Sequence, residues 1–188
     1  MIKEYYFPTP IYIKDIDINT EIEKNIIEWS KKEKGILRTN VKGWHSSTDM
    51  HLKKEYLSLI NELVKMQKEI YIDQHLDGEP ILGNMWANIN QQGAYNKTHI
   101  HPNSLWSGVY YVKTPENCGN LYIEDPRLGS GFISPKRKKN NEKEFWKTVN
   151  YRPIAGRIIM FPAWLSHGVE INLSNDIRIS VSFNFIQK

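Results

Sequence analysis

The periodicity of the chain changes once, near residue 80, and that change restricts the fold more than any other feature. Up to about residue 78 apolar residues recur at helical spacing. Beyond it they come in short runs broken by Gly, Pro and Asn. In the first part, Ile22, Ile26, Ile27 and Trp29 among charges predict a helix over 20–33, with Asn19 or Thr20 as its cap. Leu57, Ile60, Leu63 and Val64, with Ile70 and Ile72 beyond, predict a second over 53–72. Trp44-His45-Ser46-Ser47 reads as a polar connection between the two. Residues 7–14, which include Pro8 and Pro10, read as an edge segment, because proline cannot donate to a ladder from a central position.

Strand-like runs follow at 81–91, 105–113, 119–123, 149–153, 157–161, 168–172 and 178–186. The last alternates most cleanly: Ile179, Val181, Phe183 and Phe185 share one face, and Arg178, Ser180, Ser182 and Asn184 the other. So many short strands predict a mainly β (α+β) fold. The form expected is a double-stranded β-helix, a cupin-like jelly roll, with the N-terminal helices packed on one sheet. The expected organisation is one domain over 1–188. Residues 1–78 form a helical support and 79–188 the β core, interrupted by a loop insert at about 127–148.

That insert carries Lys136, Arg137, Lys138 and Lys139, part of a formal net charge of +4. Without a basic stripe interleaved with aromatics it reads as a solvated loop, so nucleic acid is not an expected partner. At the rim of the barrel it would act as a lid. Cys118 is the one cysteine, which excludes an intrachain disulfide and predicts a reducing cytoplasm. The segment Met1-Ile2-Lys3-Glu4-Tyr5-Tyr6 lacks the apolar stretch of a signal peptide. No apolar run approaches the roughly 18 residues of a membrane span. A homodimer is the commonest assembly for such a chain.

Three of the six histidines fall in the strand-rich part. In an extended strand, residues two apart project from one face about 6–7 Å apart, so His99 and His101 can converge on one ion. Ile100 would then turn into hydrophobic packing, and Pro102 ends the run. His167, after Phe161-Pro162-Ala163-Trp164-Leu165-Ser166, offers a third ligand from another strand. Three ligands leave coordination positions open for water, substrate or oxygen. Arg178 opens the polar face of the last strand, and its planar fork suits a carboxylate, with Ser180 as a further donor. His45, His51 and His75 lack partners at ligand spacing and read as surface or capping residues. Trp86, Trp106 and Trp164 read as core.

The sequence resembles the 2-oxoglutarate/iron(II)-dependent oxygenase superfamily, nearest a group from marine bacteria and their phages. The resemblance rests on Trp86-Ala87-Asn88, Gly93 six residues before His99, and His99-Ile100-His101-Pro102. It continues through 107–112, Gly119-Asn120-Leu121-Tyr122, Asp125-Pro126-Arg127, Gly156, Phe161-Pro162, Trp164, His167 and 178–184. It implies iron(II) held by His99, His101 and His167. It also implies 2-oxoglutarate as co-substrate, its far carboxylate on Arg178 with Ser180 helping and Tyr110, Asn88 and Asn184 facing the cavity. The implied reaction is hydroxylation of a small-molecule or peptidyl substrate, with no catalytic side chain beyond the metal centre. The superfamily pattern has Asp or Glu where this chain has His101. That departure leaves open a tri-histidine cupin-type enzyme without 2-oxoglutarate, and Asp125 as a substitute carboxylate ligand. A non-catalytic jelly roll that binds or assembles is the reading from a different class.

Overall fold

The strands and helices appear in chain order as β1 (Tyr12–Asp15), α1 (Glu21–Lys32), β2 (Asn40–Val41), β3 (Trp44–His45), α2 (Leu57–Asp73), β4 (Ile81–Asn90), β5 (Tyr95–His99), β6 (Trp106–Lys113), β7 (Leu121–Glu124), β8 (Thr148–Tyr151), β9 (Arg157–Pro162), β10 (His167–Val169) and β11 (Arg178–Ile186). The computed structural model describes residues 1–17, 21–127, 129, 132, 135–139, 141, 143 and 146–187. The strands form two antiparallel sheets, ordered β1-β9-β6-β11-β4-β3 and β2-β5-β10-β7-β8. This is the double-stranded β-helix.

The alternation of β11 sorts the molecule into a helix side and a barrel side. Ile179, Val181, Phe183 and Phe185 pack with Met85 and Ala87 of β4 against Ile22, Ile26, Trp29, Leu59 and Leu63 of the helices. Each large apolar side chain fully buried there contributes about 1.5–3 kcal/mol. Arg178, Ser180, Ser182 and Asn184 turn the other way, into the space between the sheets, where Asn84, Trp86 and Asn88 of β4 join them. A smaller cluster of Tyr111, Leu121, Ile123, Ile159, Phe161 and Leu165 fills the rest of the barrel.

Several local expectations change. The second helix begins late, because Lys53 is extended (φ −95°, ψ 125°) and separates two 3-10 turns, Met50–Leu52 and Lys54–Tyr56, from one another. Trp44–His45 is not a polar connection but an edge strand, so 1–78 supplies three short strands as well as helices. Apart from its end at His99, β5 leaves little trace in the sequence, because Tyr95-Asn96-Lys97-Thr98-His99 has almost no apolar alternation to read. The segment does lie at an edge, since β1 ends the larger sheet, although Pro8 and Pro10 precede the strand itself. The expected cap of α1, Asn19 or Thr20, lies outside the described residues. So does part of the 127–148 insert, of which Lys136–Lys139 are exposed. No described residue of that insert lines the cavity between the sheets. Among the described residues no helix is long and apolar enough to cross a membrane.

Candidate metal centre

β5 ends at His99 and β10 begins at His167, and the two residues are register partners on adjacent antiparallel strands. His101 comes from beyond the end of β5, held by its backbone N–H donating to the Ala163 carbonyl at 2.9 Å. Ring centroids lie 4.4 Å apart for His99 and His167, 4.9 Å for His99 and His101, and 5.1 Å for His101 and His167. One nitrogen from each ring falls within 4.8 Å of the other two. All three predicted ligands therefore meet. Ile100 does not pack inward as expected. The strand stops at His99, so alternation lapses, and Ile100 is 48% exposed at the cavity wall.

The surroundings set the tautomers. His99 Nδ1 lies 2.7 Å from the Lys97 carbonyl oxygen, and His167 Nδ1 2.8 Å from that of Leu165. A carbonyl only accepts, so each Nδ1 carries the hydrogen and each Nε2 presents a bare lone pair, the state a metal ligand needs. Burial pushes all three imidazoles below their ordinary pKa, His101 to about 4 and His167 to about 3. The neighbouring His99 charge adds to the effect on those two. They are neutral at pH 7. Gly168 permits the arrangement beside His167, since a Cβ there would lie 2.3 Å from Tyr122 Oη. Three neutral imidazoles converging on one point fit a divalent first-row metal ion.

Arg178 lies at the other end of the same cavity, 1% exposed. Its Nη1 donates to the carbonyls of Cys118 at 2.7 Å and Gly119 at 3.2 Å. Gly119 is required there: its φ is +84°, and a Cβ would sit 2.4 Å from the Glu170 carbonyl oxygen. Burial lowers the Arg178 pKa, and no carboxylate among the described residues offsets it. A buried guanidinium without an acid partner is costly unless an anion joins it. The cavity between arginine and histidines holds about 310 Å³.

A family profile described as "Putative 2OG-Fe(II) oxygenase" matches residues 84–184. The chain belongs to this family. The solved structures it resembles include a Pseudomonas putida prolyl-4-hydroxylase, at TM-score 0.69 and 11% identity over 95% of this chain and 92% of that one. A viral collagen prolyl hydroxylase from Paramecium Bursaria Chlorella virus-1, in complex with 2OG, gives 0.58 and 16% over 93% and 95%. HygX from Streptomyces hygroscopicus, with nickel and 2-oxoglutarate bound, gives 0.65 and 9% over 96% and 84%. At these identities the likeness is one of fold. No curated protein sequence matches the chain.

Within this oxygenase, Ser180, Asn88 and Asn184 all line the cavity, but the amides are already engaged. Asn88 Nδ2 donates to Ser182 Oγ at 3.1 Å. Asn184 accepts from Ser107 Oγ at 2.6 Å, donates to Asn84 Oδ1 at 2.8 Å, and stands 3.5 Å from His101 Nδ1. Tyr110 does not face the cavity. The even positions of β6 point to the helix side, where Tyr110 is buried, and Tyr111 is the ring that reaches the barrel beside Arg178. Asp125 is not at the metal centre: both its oxygens grip Arg127, at 2.8 Å each.

Two residues at the site carried no readable signal. His45 is 5% exposed, stacks on Trp86 at 5.4 Å and 9°, and lines the cavity; a two-residue strand offers no period to interpret. Arg38 lines it too, from a loop position that pattern alone cannot place. Among the tryptophans expected in the core, Trp106 is buried, Trp86 forms cavity wall and Trp164 is 55% exposed.

Proposed function

We propose that this oxygenase holds iron(II) with His99, His101 and His167, and binds 2-oxoglutarate with its far carboxylate on Arg178 and Ser180. The observation that carries the reading is the buried, acid-free Arg178 sharing one cavity with three converging imidazoles. When bound, iron(II) and 2-oxoglutarate supply oxygen activation by oxidative decarboxylation to succinate, coupled to hydroxylation of a C–H bond.

The protein's own part is positioning and exclusion of water. The Lys97 and Leu165 carbonyls fix two imidazole tautomers, so Nε2 of His99 and His167 need no rearrangement before binding metal. Asn184, braced by Ser107 and Asn84, stands behind the third. The Cys118 and Gly119 carbonyls anchor one arm of the Arg178 fork and leave the other for a carboxylate. Tyr111, whose burial raises its pKa far above the ordinary phenol value, stays protonated and can donate to the same group. Three neutral imidazoles leave the metal its full positive charge, which favours a dianionic co-substrate. A cavity of about 310 Å³ suits a small molecule or one side chain of a peptide as prime substrate. The H-x-H spacing supports kinship with oxygenases of marine bacteria and phages, and the single cysteine supports a cytoplasmic setting.

The test is anaerobic addition of 2-oxoglutarate to the iron(II) protein, followed by exposure to oxygen. A metal-to-ligand charge-transfer band and iron- and oxygen-dependent succinate are expected, both lost in Arg178→Ala. Iron binding without the band or succinate would place the chain with tri-histidine enzymes that do not use 2-oxoglutarate.

A further inference from the structure

The metal ligands and Arg178 lie within the stretch that matches the family, residues 84–184, but the wall facing them does not. Residues 36–46 form a strap across the open edge of the barrel. Its β2 arm joins the smaller sheet and its β3 arm the larger one. The strap is pinned throughout. Asn40, 5% exposed, accepts from the Arg38 N–H at 2.7 Å and donates to the Gly43 carbonyl at 2.8 Å and the Ile36 carbonyl at 3.2 Å. The Ile36 N–H donates to the His45 carbonyl at 2.8 Å, and the Lys97 N–H to the Thr39 carbonyl at 3.0 Å. From this strap Arg38, Thr39 and His45 reach the cavity.

The charges in that cavity do not balance. Its lining includes two arginines, the buried Arg178 and the exposed Arg38, and no Asp or Glu among the described residues. Iron(II) and a 2-oxoglutarate dianion cancel each other, so the cavity keeps a net positive charge with both in place. Arg178 is accounted for locally by the far carboxylate of the co-substrate. Arg38 is exposed, and its guanidinium has no hydrogen bond or ion pair with any described residue, so it is available to an incoming anion. The same cavity is lined by the aromatic plate of His45 stacked on Trp86, with the His101 ring 5.8 Å from Trp86.

Resting on the oxygenase reading, we propose that the strap reads the prime substrate, and that Arg38 receives an oxyanion of it, a carboxylate or a phosphate. The Trp86–His45 plate takes the adjoining apolar or planar part. The substrate is thus a small anion, or an acidic or phosphorylated side chain, with an apolar or planar part beside its charge.

Calorimetry on the anaerobic iron(II) protein saturated with 2-oxoglutarate tests this with matched probes. Phenylacetate is paired with phenylacetamide, and phenyl phosphate with phenol. At least one anion should bind about tenfold or more tightly than its neutral partner, and the arm that does so distinguishes carboxylate from phosphate. Arg38→Ala and Arg38→Gln should abolish the gap, and Arg38→Lys should keep part of it. None of the three should alter 2-oxoglutarate affinity or melting temperature, because the Arg38 side chain supports no other group. Neutral probes binding as well as anions, a gap that survives Arg38→Ala, or no anion binding at millimolar concentration would each overturn the proposal. If the wild-type protein fails to bind 2-oxoglutarate, the oxygenase reading falls separately. The anion–neutral comparison on the protein without it then still decides the role of Arg38.

Discussion

His99 and His167 face each other across one antiparallel pair with ring centroids 4.4 Å apart, while His101 reaches the same point from beyond the end of its strand. Two ligands are thus placed by sheet register and the third by a loop tied to Ala163. The register pair has no freedom to be replaced. His99→Ala and His167→Ala should each weaken iron(II) binding by more than about 100-fold in anaerobic chelator competition. His101→Asp restores the carboxylate of the wider superfamily and should keep stoichiometric iron. Loss of iron in His101→Asp alongside full retention in His99→Ala would sink the assignment.

Arg178 separates binding from stability. Its charge is buried without an acid, so Arg178→Met removes a desolvation cost and should leave the melting temperature of the ligand-free protein unchanged or raised. The same change should cost 2-oxoglutarate about 100-fold in affinity by calorimetry, as expected for losing a charge-assisted fork. A variant that unfolds yet, when stabilised, binds 2-oxoglutarate normally would make Arg178 a structural residue only.

The alternation of β11 can be read directly because its apolar and polar positions do not mix, and the polar face that carries Arg178 and Ser180 is the one that lines the cavity. β6 gave no such guidance. Trp106, Val109, Tyr110, Tyr111 and Val112 put apolar or aromatic residues on both faces, so the sequence does not show which tyrosine faces the barrel. His101 was legible from spacing, although not the loop that carries it. His45 and Arg38 sit in a strap whose order comes from Asn40 and two backbone bonds, and hydrophobic pattern does not encode such contacts.

The corrected tyrosine is itself testable. Tyr111→Phe should raise the KM for 2-oxoglutarate about 10- to 150-fold, the worth of one hydrogen bond to a charged group. Tyr110→Phe, on the helix side, should leave it unchanged. Equal effects in succinate assays would remove Tyr111 from the site.

The helix side carries the stability of the scaffold. Phe183 is fully buried at 0% exposure among residues of β4, β11 and both helices, so Phe183→Ala should cost about 3–5 kcal/mol in urea unfolding. A cost under about 1 kcal/mol would mean that the helices do not share a core with β11.

Acid should unfold the metal-free protein through its own site. His99, His101 and His167 all have folded pKa values below the ordinary 6.5, those of His101 and His167 at about 4 and about 3, chiefly because of burial. As pH falls below about 6.5 the unfolded chain gains protons that the folded chain refuses, so the unfolded state binds more and stability drops. The contribution is fully present above pH 6.5 and is lost progressively as pH falls toward about 3. Chelator-treated protein should therefore show a urea midpoint that is level near neutrality and declines steadily below pH 6.5. Changing His101 and His167 together to Asn removes two of the three groups, and the decline should become visibly shallower in the same titration. An identical slope in that double variant would assign the acid sensitivity to other residues.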